Sequence, residues 1–393
     1  AMAETSVVAG AAHAMAVTFA VIAMGTVLRA SGVVSQAGQK DMSQVAVKLL
    51  MPCFNFSGLV QDVSWERLEA CRGVIIFVFI QMGLGLALGV ALCRCLGAAS
   101  PFLRQHRGQV LVLCAFCNAT AMPLTLFRAL VSSQPGLKDL EAEGALDITI
   151  YGTVWRLLLW TVGIVLLEMD GQDAPAAGAA GAASKERRRA SPGAMLRVAL
   201  LNSNTIAAVA GFIVALGPPP LRALFFGGPL SCLREAAANI ARAAHAMLLI
   251  TLGAALWPVP STSDWTAVGG VCAAKLVGLP LATLGLLHFG GLASTLGLSA
   301  AGTLVVAIEA TSSLRQGRFY THTAFAVSGD AAAGAAAAPA MAMGCVPSAL
   351  QISMMVQSTG RDARSCTVIC FWQHVFGLPT MTAFLALALS GMP

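Results

Sequence analysis

Two proline-containing stretches place amide and hydroxyl side chains inside otherwise apolar segments of the sequence. The first, CNATAMPLTL, covers residues 117–126, and the second, GCVPSALQIS, covers residues 344–353. Pro123 and Pro347 each lack a backbone donor and obstruct the preceding helical turn, so each is expected to interrupt a helix. The sequence therefore predicts two broken helices, one in each half of the chain.

A helix that is broken inside a membrane has carbonyl groups that need side chains, neighbouring helices or water as partners. Asn118, Thr120, Ser348 and Gln351 lie close enough in sequence to fill this role or to hold a ligand. The N-termini of half-helices carry positive dipole ends, which favour an anionic guest. The alternative is a pair of ordinary proline kinks. We favour a binding site because the two prolines occupy matching positions in the two halves.

Two cationic side chains also lie within apolar runs, at Arg156 and Lys275. A charge near the middle of a membrane is costly, so each needs a partner or water. A substrate carboxylate could pair with Arg156 through two parallel hydrogen bonds. The alternatives for Arg156 are an ion pair with an acid such as Asp147 or a side chain that extends to the membrane surface. For Lys275, structural pairing explains the charge as well as substrate contact does.

The composition indicates a membrane protein. Of 393 residues, 57% are apolar and 11% are charged, and the mean hydropathy is +0.77. A typical soluble chain has about 25% charged residues. The net charge of +6 collects in short stretches, which indicates membrane topology rather than a nucleic-acid surface. The eleven cysteines show no spacing typical of a disulfide framework. Cys114 and Cys117 form a CxxC, but it lies in an apolar segment without a second pair, so we expect apolar filler rather than a metal or redox site. We predict an all-α polytopic membrane protein without a cofactor or bound metal.

Ten apolar segments are long enough to cross a membrane, which takes about 17 to 25 residues. They cover residues 7–28, 42–60, 74–96, 109–131, 146–167, 200–216, 233–256, 266–289, 331–356 and 366–389. This predicts a first five-helix repeat over 1–168, a Gly/Ala-rich basic linker over 169–199, and a second five-helix repeat over 200–393. The first segment follows no basic n-region, so we expect it to be retained rather than cleaved.

Segment 292–310 is apolar enough for an eleventh span. It carries Glu309, however, and is rich in Gly, Ser and Thr. We favour a surface or re-entrant helix within an unusual insertion over 292–327. If this segment crossed the membrane instead, the orientation of everything after it would be inverted.

The loops between the ten segments differ in charge. The odd-numbered loops carry most of the basic residues, including Lys40, Arg104 and the KERRR run at 185–189, and the even-numbered loops carry most of the acids. The basic excess places the odd-numbered loops and the central linker in the cytosol. Because each half has five spans, the halves insert in opposite orientations. This predicts an inverted repeat with a substrate site midway, at the broken helices.

Five motifs, taken in order, resemble those of one family. They are KLLMPCFNFSGL at 48–59, CNATAMPLTL at 117–126, NSNTIAAVAGFIVAL with PPPLR at 202–222, KLVGLPL at 275–281 and CTVICFWQHVFGLPT at 366–380. Their order and spacing resemble the auxin efflux carrier family, which includes plant PIN-type carriers, PIN-LIKES proteins and bacterial relatives. The short central linker is more similar to the PIN-LIKES branch than to the long-loop PIN carriers. Ser203 and Asn204 depart from the family pattern, which has two prolines there.

The resemblance implies two inverted five-helix repeats in which broken helices 4 and 9 cross. Spans 1, 2, 6 and 7 would form a scaffold part, and the crossing helices would belong to a transport part. It also implies a secondary transporter that moves a small organic anion such as indole-3-acetate by alternating access. The predicted substrate-binding residues are Asn118, Pro123, Pro347, Ser348, Gln351, Asn55, Ser57 and Arg156.

Other functions and settings stay open at this point. The resemblance implies a multi-pass protein of the endoplasmic reticulum or plasma membrane, with the lipid bilayer and the anion as partners; a homodimer is a further open arrangement. The alternatives are a carrier of another small carboxylate, of malate or malonate type, and a non-transporting receptor or channel. A membrane enzyme is disfavoured, because the acids nearest the apolar runs lie towards their ends.

Overall fold

The fold is α-helical throughout the part of the chain that the computed structural model describes. That part comprises residues 2–117, 119, 123–124, 127, 141–173, 192–258, 264–289, 295–298, 351–358 and 363–390. Asn118, Pro347 and Ser348, three of the predicted site residues, lie outside the described residues.

The described helices follow one another along the chain on either side of the central linker. Before the linker they are α1 Met2–Ala30, α2 Gln36–Val45, α3 Met51–Asp62, α4 Trp65–Ala70, α5 Arg72–Leu96, α6 Pro101–Gln105, α7 Arg107–Ala115, α8 Glu141–Leu158 and α9 Ile164–Asp173. After it they are α10 Pro192–Leu200, α11 Ser203–Leu216, α12 Pro219–Phe226, α13 Ser231–Ala255, α14 Trp265–Ala273, α15 Leu279–Phe289, α16 Gln351–Ser358 and α17 Arg364–Ser390.

Wide helical turns of the π type join three pairs of these helices. Ala46–Leu50 joins α2 to α3, Leu159–Gly163 joins α8 to α9, and Ala274–Gly278 joins α14 to α15. Proline accounts for two of them, because Pro52 and Pro280 cannot donate to the carbonyl four residues earlier. The backbone N–H just before each proline instead reaches five residues back, to the carbonyls of Ala46 and Ala274.

Four helical stretches are long and apolar enough to cross a membrane, judged by length and composition over the described residues. They are Arg72–Leu96, Glu141–Asp170, Ser231–Ala255 and Trp265–Thr283. A fifth is added if α11 and α12, which bend by 112° at their junction, count as one broken span. The chain is therefore an integral membrane protein with several helical spans, as its composition predicted.

Glycine lets α1 and α13 approach backbone to backbone. A Cβ on Gly25 would lie 2.1 Å from the Ile250 carbonyl oxygen, and a Cβ on Gly253 would lie 1.9 Å from that of Ile22. Thr26 Oγ1 donates to the Gly253 carbonyl at 2.9 Å across the same crossing. Small residues at such a crossing are typical of membrane helix pairs, where close packing replaces the hydrophobic effect.

The described loops fall at two ends of the bundle. At one end, Arg29, Ala255, Gln357 and Arg364 surround a single cavity, so the C-termini of α1, α13 and α16 lie beside the N-terminus of α17. At the other end, the indole of Trp65 donates to the Leu216 carbonyl at 3.2 Å, which joins the segment after α3 to the end of α11. A Cβ on Gly73 would lie 2.6 Å from the Leu296 carbonyl oxygen, so residues 295–298 lie where α5 begins.

Asp264 links the start of α14 to the start of α6 at the cavity end. One carboxylate oxygen accepts from Ala267 N at 2.9 Å and so caps α14; the other accepts from Ser100 Oγ at 2.7 Å and Phe102 N at 3.1 Å. Burial alone would raise the pKa of Asp264, but these hydrogen bonds outweigh it and lower the pKa below its usual range. The carboxylate therefore stabilises the fold only in its charged form.

We expect this contribution to disappear in acid. Because the pKa of Asp264 is lower in the folded state, its stabilising effect is complete above the ordinary carboxyl pKa of about 3.9 and is lost as the pH falls through the folded-state value. In thermal unfolding between pH 3 and 7, Asp264→Ala should lose about 1 kcal/mol relative to wild type at neutral pH and much less near pH 3. A pH-independent difference would contradict this prediction.

Candidate functional site

The predicted first broken helix is interrupted in the structure. Helix α7 ends at Ala115, and Phe116 follows in extended backbone with φ −103° and ψ 132°. The chain is helical again at Pro123, whose side chain is buried. Phe116 packs against the Trp155 ring at a centroid distance of 5.5 Å, and a Cβ on Gly85 of α5 would lie 2.6 Å from Ala115 Cα. Helices α5 and α8 therefore pack closely against the end of α7.

Lys275 binds the C-terminal end of this half-helix. Its ammonium donates to the Cys114 carbonyl oxygen at 3.1 Å, and the side chain is 3% exposed. The last four carbonyls of a helix have no partner within the helix and carry the negative end of its dipole. A lysine in the wide turn between α14 and α15 thus supplies both a hydrogen bond and a charge of the right sign.

Asp170 binds the other end of α7. Its carboxylate oxygens accept from the backbone N–H groups of Gly108 and Gln109, the latter at 2.8 Å. A carboxylate at a helix N-terminus satisfies free donors and complements the positive end of the dipole. Opposite charges therefore hold α7 from both ends, Asp170 from α9 and Lys275 from the turn before α15.

The second predicted crossover is described only from Gln351 onwards. Gln351 opens α16, and its Oε1 is buried without a hydrogen-bond partner among the described residues. Trp155, beside the first crossover, likewise has a buried indole N–H without a partner in the described part of the chain. Buried polar atoms are nearly always satisfied in native proteins, so these two are candidates to contact a ligand or water.

Asn55 faces α11 rather than the interrupted helix. Its Nδ2 donates to Asn204 Oδ1 at 3.1 Å, and Asn204 Nδ2 donates to the Val47 carbonyl at 2.9 Å. In the wide turn each backbone N–H donates to the carbonyl five residues earlier, and the residue five positions after Val47 is Pro52, which has no N–H. The Val47 carbonyl therefore lacks a helical donor. Asn204 therefore supplies the donor that Pro52 lacks. Ser57, also buried, accepts from Gln61 Nε2 at 3.5 Å along the same helix.

Arg156 contacts α3 at Phe54 and lies near Gly58. Its Nη2 donates to Thr153 Oγ1 at 3.0 Å, and its guanidinium carbon lies 4.9 Å from the centre of the Phe54 ring. A Cβ on Gly58 would lie 3.8 Å from Arg156 Nη2 and 4.0 Å from Asp62 Oδ2. Asp62 is the acid whose charge acts on the guanidinium. Asp147, the acid considered from the sequence, hydrogen-bonds with Cys71.

We expect Arg156 and Asp62 to be energetically coupled. Arg156→Gln and Asp62→Asn should each lower the unfolding temperature, and the double variant should lose less than the sum of the two. Charged neighbours of this kind show coupling energies of about 0.5–3 kcal/mol. Thermal unfolding of the four proteins in one detergent measures this coupling. Additive losses would contradict it.

A chain of polar side chains joins α2 to α16 and α17. Gln357 Oε1 accepts from Ser43 Oγ at 2.7 Å and from Gln39 Nε2 at 3.3 Å, while Gln357 Nε2 donates to Ser353 Oγ at 3.1 Å. Ser353 in turn shares a 2.6 Å hydrogen bond with Thr367 of α17. We call these five residues the Gln357 chain. It crosses between an N-terminal helix and the helices that follow the second predicted crossover.

Comparison with known proteins gives the family. A family model described as "Membrane transport protein" matches residues 11–385, which is nearly the whole chain. The chain belongs to the membrane transport protein family. This confirms, at the level of the family, the resemblance to auxin efflux carriers seen in the sequence. Members of this family are transporters rather than enzymes.

One curated relative gives weaker support of the same kind. The chain is 23% identical over 154 residues to the protein named "Uncharacterized transporter YBR287W" of Saccharomyces cerevisiae. The match covers 36% of this chain and 35% of that relative, so it spans about a third of each protein. It agrees with membership of the membrane transport protein family and adds no information on the substrate.

Several residues of this family member have structural roles that the sequence did not reveal. These are Asp170 and Lys275 at the two ends of α7, Asn204 beside Pro52, and Gln357 between α2 and α16. Lys275 stands out in the sequence as a charge in an apolar run, but its partner lies 161 residues away. Asn204 stands out there only as a departure from the family pattern. Among the described residues, no cluster of three or more His, Cys, Asp or Glu side chains could hold a metal ion.

Proposed function

We propose that this member of the membrane transport protein family is a secondary transporter that moves a small organic anion by alternating access. The observation that carries the proposal is the interrupted helix α7, with Lys275 at its buried C-terminal end. A half-helix that ends within the membrane is tolerated where it lines a cavity or a binding site. The buried cation there and the indole donor of Trp155 nearby favour a negatively charged guest.

Ten spans in two inverted repeats are the architecture we propose for the whole chain, with the repeats at 1–168 and 200–393. The two ends of the bundle support this arrangement. The connections after α1, α13 and α16 meet around one cavity, and the connections after α3 and α11 meet at the opposite end through Trp65. In a ten-span chain, spans 1, 7 and 9, which contain α1, α13 and α16, would all end on one side of the membrane. Spans 2 and 6, which contain α3 and α11, would end on the other side.

The same positions support a re-entrant or surface assignment for segment 292–310. Residues 295–298 lie beside Gly73, at the end of the bundle opposite the cavity, while Gln357 lines the cavity. An odd number of crossings must therefore separate residue 298 from residue 357. One crossing meets this condition, whereas two spans, at 292–310 and 331–356, would not.

Alternating access also needs two parts that move against each other. We assign α1, α2, α3, α11 and α13 to the scaffold part, because α1 packs on α13 and α3 packs on α11. The transport part then includes α5, α7, α16 and α17. The Gln357 chain links the two parts at the cavity end, so it would close that end in this conformation.

The substrate we propose is an aromatic carboxylate such as indole-3-acetate. The test is uptake of radiolabelled indole-3-acetate into proteoliposomes, with malate and benzoate as competitors, followed by counterflow. Saturable uptake that unlabelled anion on the far side stimulates would establish a carrier, because only alternating access gives trans-stimulated exchange. Uptake without trans-stimulation would indicate a channel, and no uptake by folded protein would refute this substrate.

Asn118→Ala locates the site within the same assay. On the sequence argument, Asn118 supplies a pocket donor at the first crossover, so its removal should abolish uptake while expression and folding stay near normal. Gln36→Ala is a control, since it removes an exposed amide that lies outside the predicted spans. Normal uptake by Asn118→Ala would place the site elsewhere.

A further inference from the structure

A cavity of about 640 Å³ opens at the end of the bundle where α1, α2, α13, α16 and α17 meet. It lies at the ends of the helices, and Gln39, Gln357 and Thr367 of the Gln357 chain form part of its lining. Its volume falls within the range of about 300–1,000 Å³ that is usual for small-molecule sites. Three cationic side chains line it, from three different helices: Arg29, Lys40 and Arg364.

The polar atoms in this cavity suit an anion. Among the described residues, no Asp or Glu lines it, whereas the amides of Gln36, Gln39 and Gln357 do. Arg29 Nη1 donates to the Val34 carbonyl at 3.0 Å, but Arg29 Nε is buried and has no hydrogen-bond partner in the described part of the chain. Arg364 Nη2 donates to the Pro258 carbonyl at 3.3 Å. Three like charges around one space repel one another, and a bound anion would offset that repulsion.

The surroundings suit a ligand at the membrane surface. Trp257, which also lines the cavity, is 43% exposed, and tryptophan is enriched at the level of the lipid headgroups. Basic pockets between membrane helices near the cytosolic surface are typical of headgroup phosphate sites. A phosphate monoester can carry two negative charges and accept from several donors at once, and Arg recognises it through paired hydrogen bonds.

We propose that the cavity lined by Arg29, Lys40 and Arg364 is a binding site for a phosphate-bearing anion, separate from the transport site. The phosphate could belong to a lipid such as phosphatidate or to a free anion, since both present the same group to the three cations. Bound there, it would contact helices of both the scaffold and the transport part. The proposal does not depend on transport activity.

Binding to the purified full-length protein tests this proposal. Native mass spectrometry would count phosphatidate and phosphatidylcholine molecules retained by the protein, and equilibrium dialysis with radiolabelled inorganic phosphate would measure the free anion. We expect saturable binding of phosphate or phosphatidate, with phosphatidylcholine much weaker. Phosphatidate binding without phosphate binding identifies a lipid headgroup site, and binding of inorganic phosphate identifies a site open to the free anion. Both outcomes support the proposal.

Matched charge removals make the test specific. Arg29→Gln/Lys40→Gln should weaken binding about tenfold or more, since each substitution removes a charge-assisted hydrogen bond to the phosphate. Arg94→Gln/Arg104→Gln removes the same charge from exposed positions outside the cavity and should leave binding unchanged. Lys40→Gln alone, at an exposed side chain, guards against misfolding and should still weaken binding severalfold. The proposal is overturned if the wild type shows no saturable binding, or if the two double variants lose binding equally.

Discussion

Replacing Lys275 with methionine is expected to reduce uptake at least a hundredfold while the protein still inserts and folds. Methionine keeps a long apolar side chain but removes the ammonium that donates to the Cys114 carbonyl at 3.1 Å. A buried carbonyl left without its partner costs about 1–3 kcal/mol, and loss of the complementary charge at the helix end adds to this cost. Because α7 has no following helical turn, nothing else in the helix can compensate.

The reactivity of two cysteines at the end of α7 gives a second readout that does not depend on the substrate. Cys114 and Cys117 flank the end of α7 and are 1% and 3% exposed. When Lys275 no longer binds the Cys114 carbonyl, this end should open more often, and both thiols should react faster with N-ethylmaleimide. Mass spectrometry of labelled peptides would locate the reaction. Cys272, 6% exposed on α14, is an internal reference whose labelling should change less.

Lys48→Met is a matched control, since Lys48 also lies in a wide turn followed by a proline. The Lys48 side chain is exposed and makes no described hydrogen bond, so its removal should change uptake and thiol labelling little. Lys275→Arg keeps the charge and should retain part of the activity. If Lys275→Met transports like the wild type, or if Lys48→Met is equally damaged, the helix end is not where the lysine matters.

The sequence was sufficient to predict a helical membrane protein, its family and an interruption before Pro123. These follow from local properties: long apolar runs, scarce charge, and a proline that removes a donor. Apolar length alone did not predict where the helix ends. Gly85, Trp155 and Lys275 contact the end of α7, and they come together there only in the folded chain.

Asn204 shows why a departure from a motif is hard to interpret from sequence. Two prolines are usual in the family at Ser203 and Asn204, so the sequence alone could only weaken the substrate assignment there. In the structure Asn204 bridges Asn55 and the carbonyl of Val47, which lacks its helical donor because of Pro52. The asparagine and the proline compensate for each other across two helices. Neither motif on its own contains that information.

Arg156 was predicted to be near a pocket, and the structure places an aromatic ring, a hydroxyl group and an acid beside it. Phe54, Thr153 and Asp62 surround the guanidinium, and all three could hold it without a substrate. Charge in an apolar run indicates that a partner exists but does not identify it. From the sequence, either Asp62 or Asp147 could be the acid beside Arg156. The fold places Asp62 there and pairs Asp147 with Cys71 instead.

Replacing Gln357 with leucine should loosen the contact between the scaffold and transport parts. Leucine fills a similar volume but removes three hydrogen bonds, to Ser43, Gln39 and Ser353. Each contributes about 1 kcal/mol net, so the closed arrangement at the cavity end should become roughly 150-fold less favoured. Hydrogen exchange should therefore speed up in the peptides covering α2 and α16, where the two parts meet.

Gln36→Leu separates this effect from the mere loss of an amide. Gln36 begins α2 and lines the same cavity, but its exposed side chain makes no described hydrogen bond. Exchange in α2 and α16 should stay at the wild-type rate in this variant. If Gln357→Leu also leaves both peptides unchanged, the Gln357 chain does not hold the two parts together. If Gln357→Leu speeds hydrogen exchange in α2 and α16 and also changes the rate of substrate counterflow, opening at this end is a step of the transport cycle. A contact outside that cycle would not change the rate of counterflow.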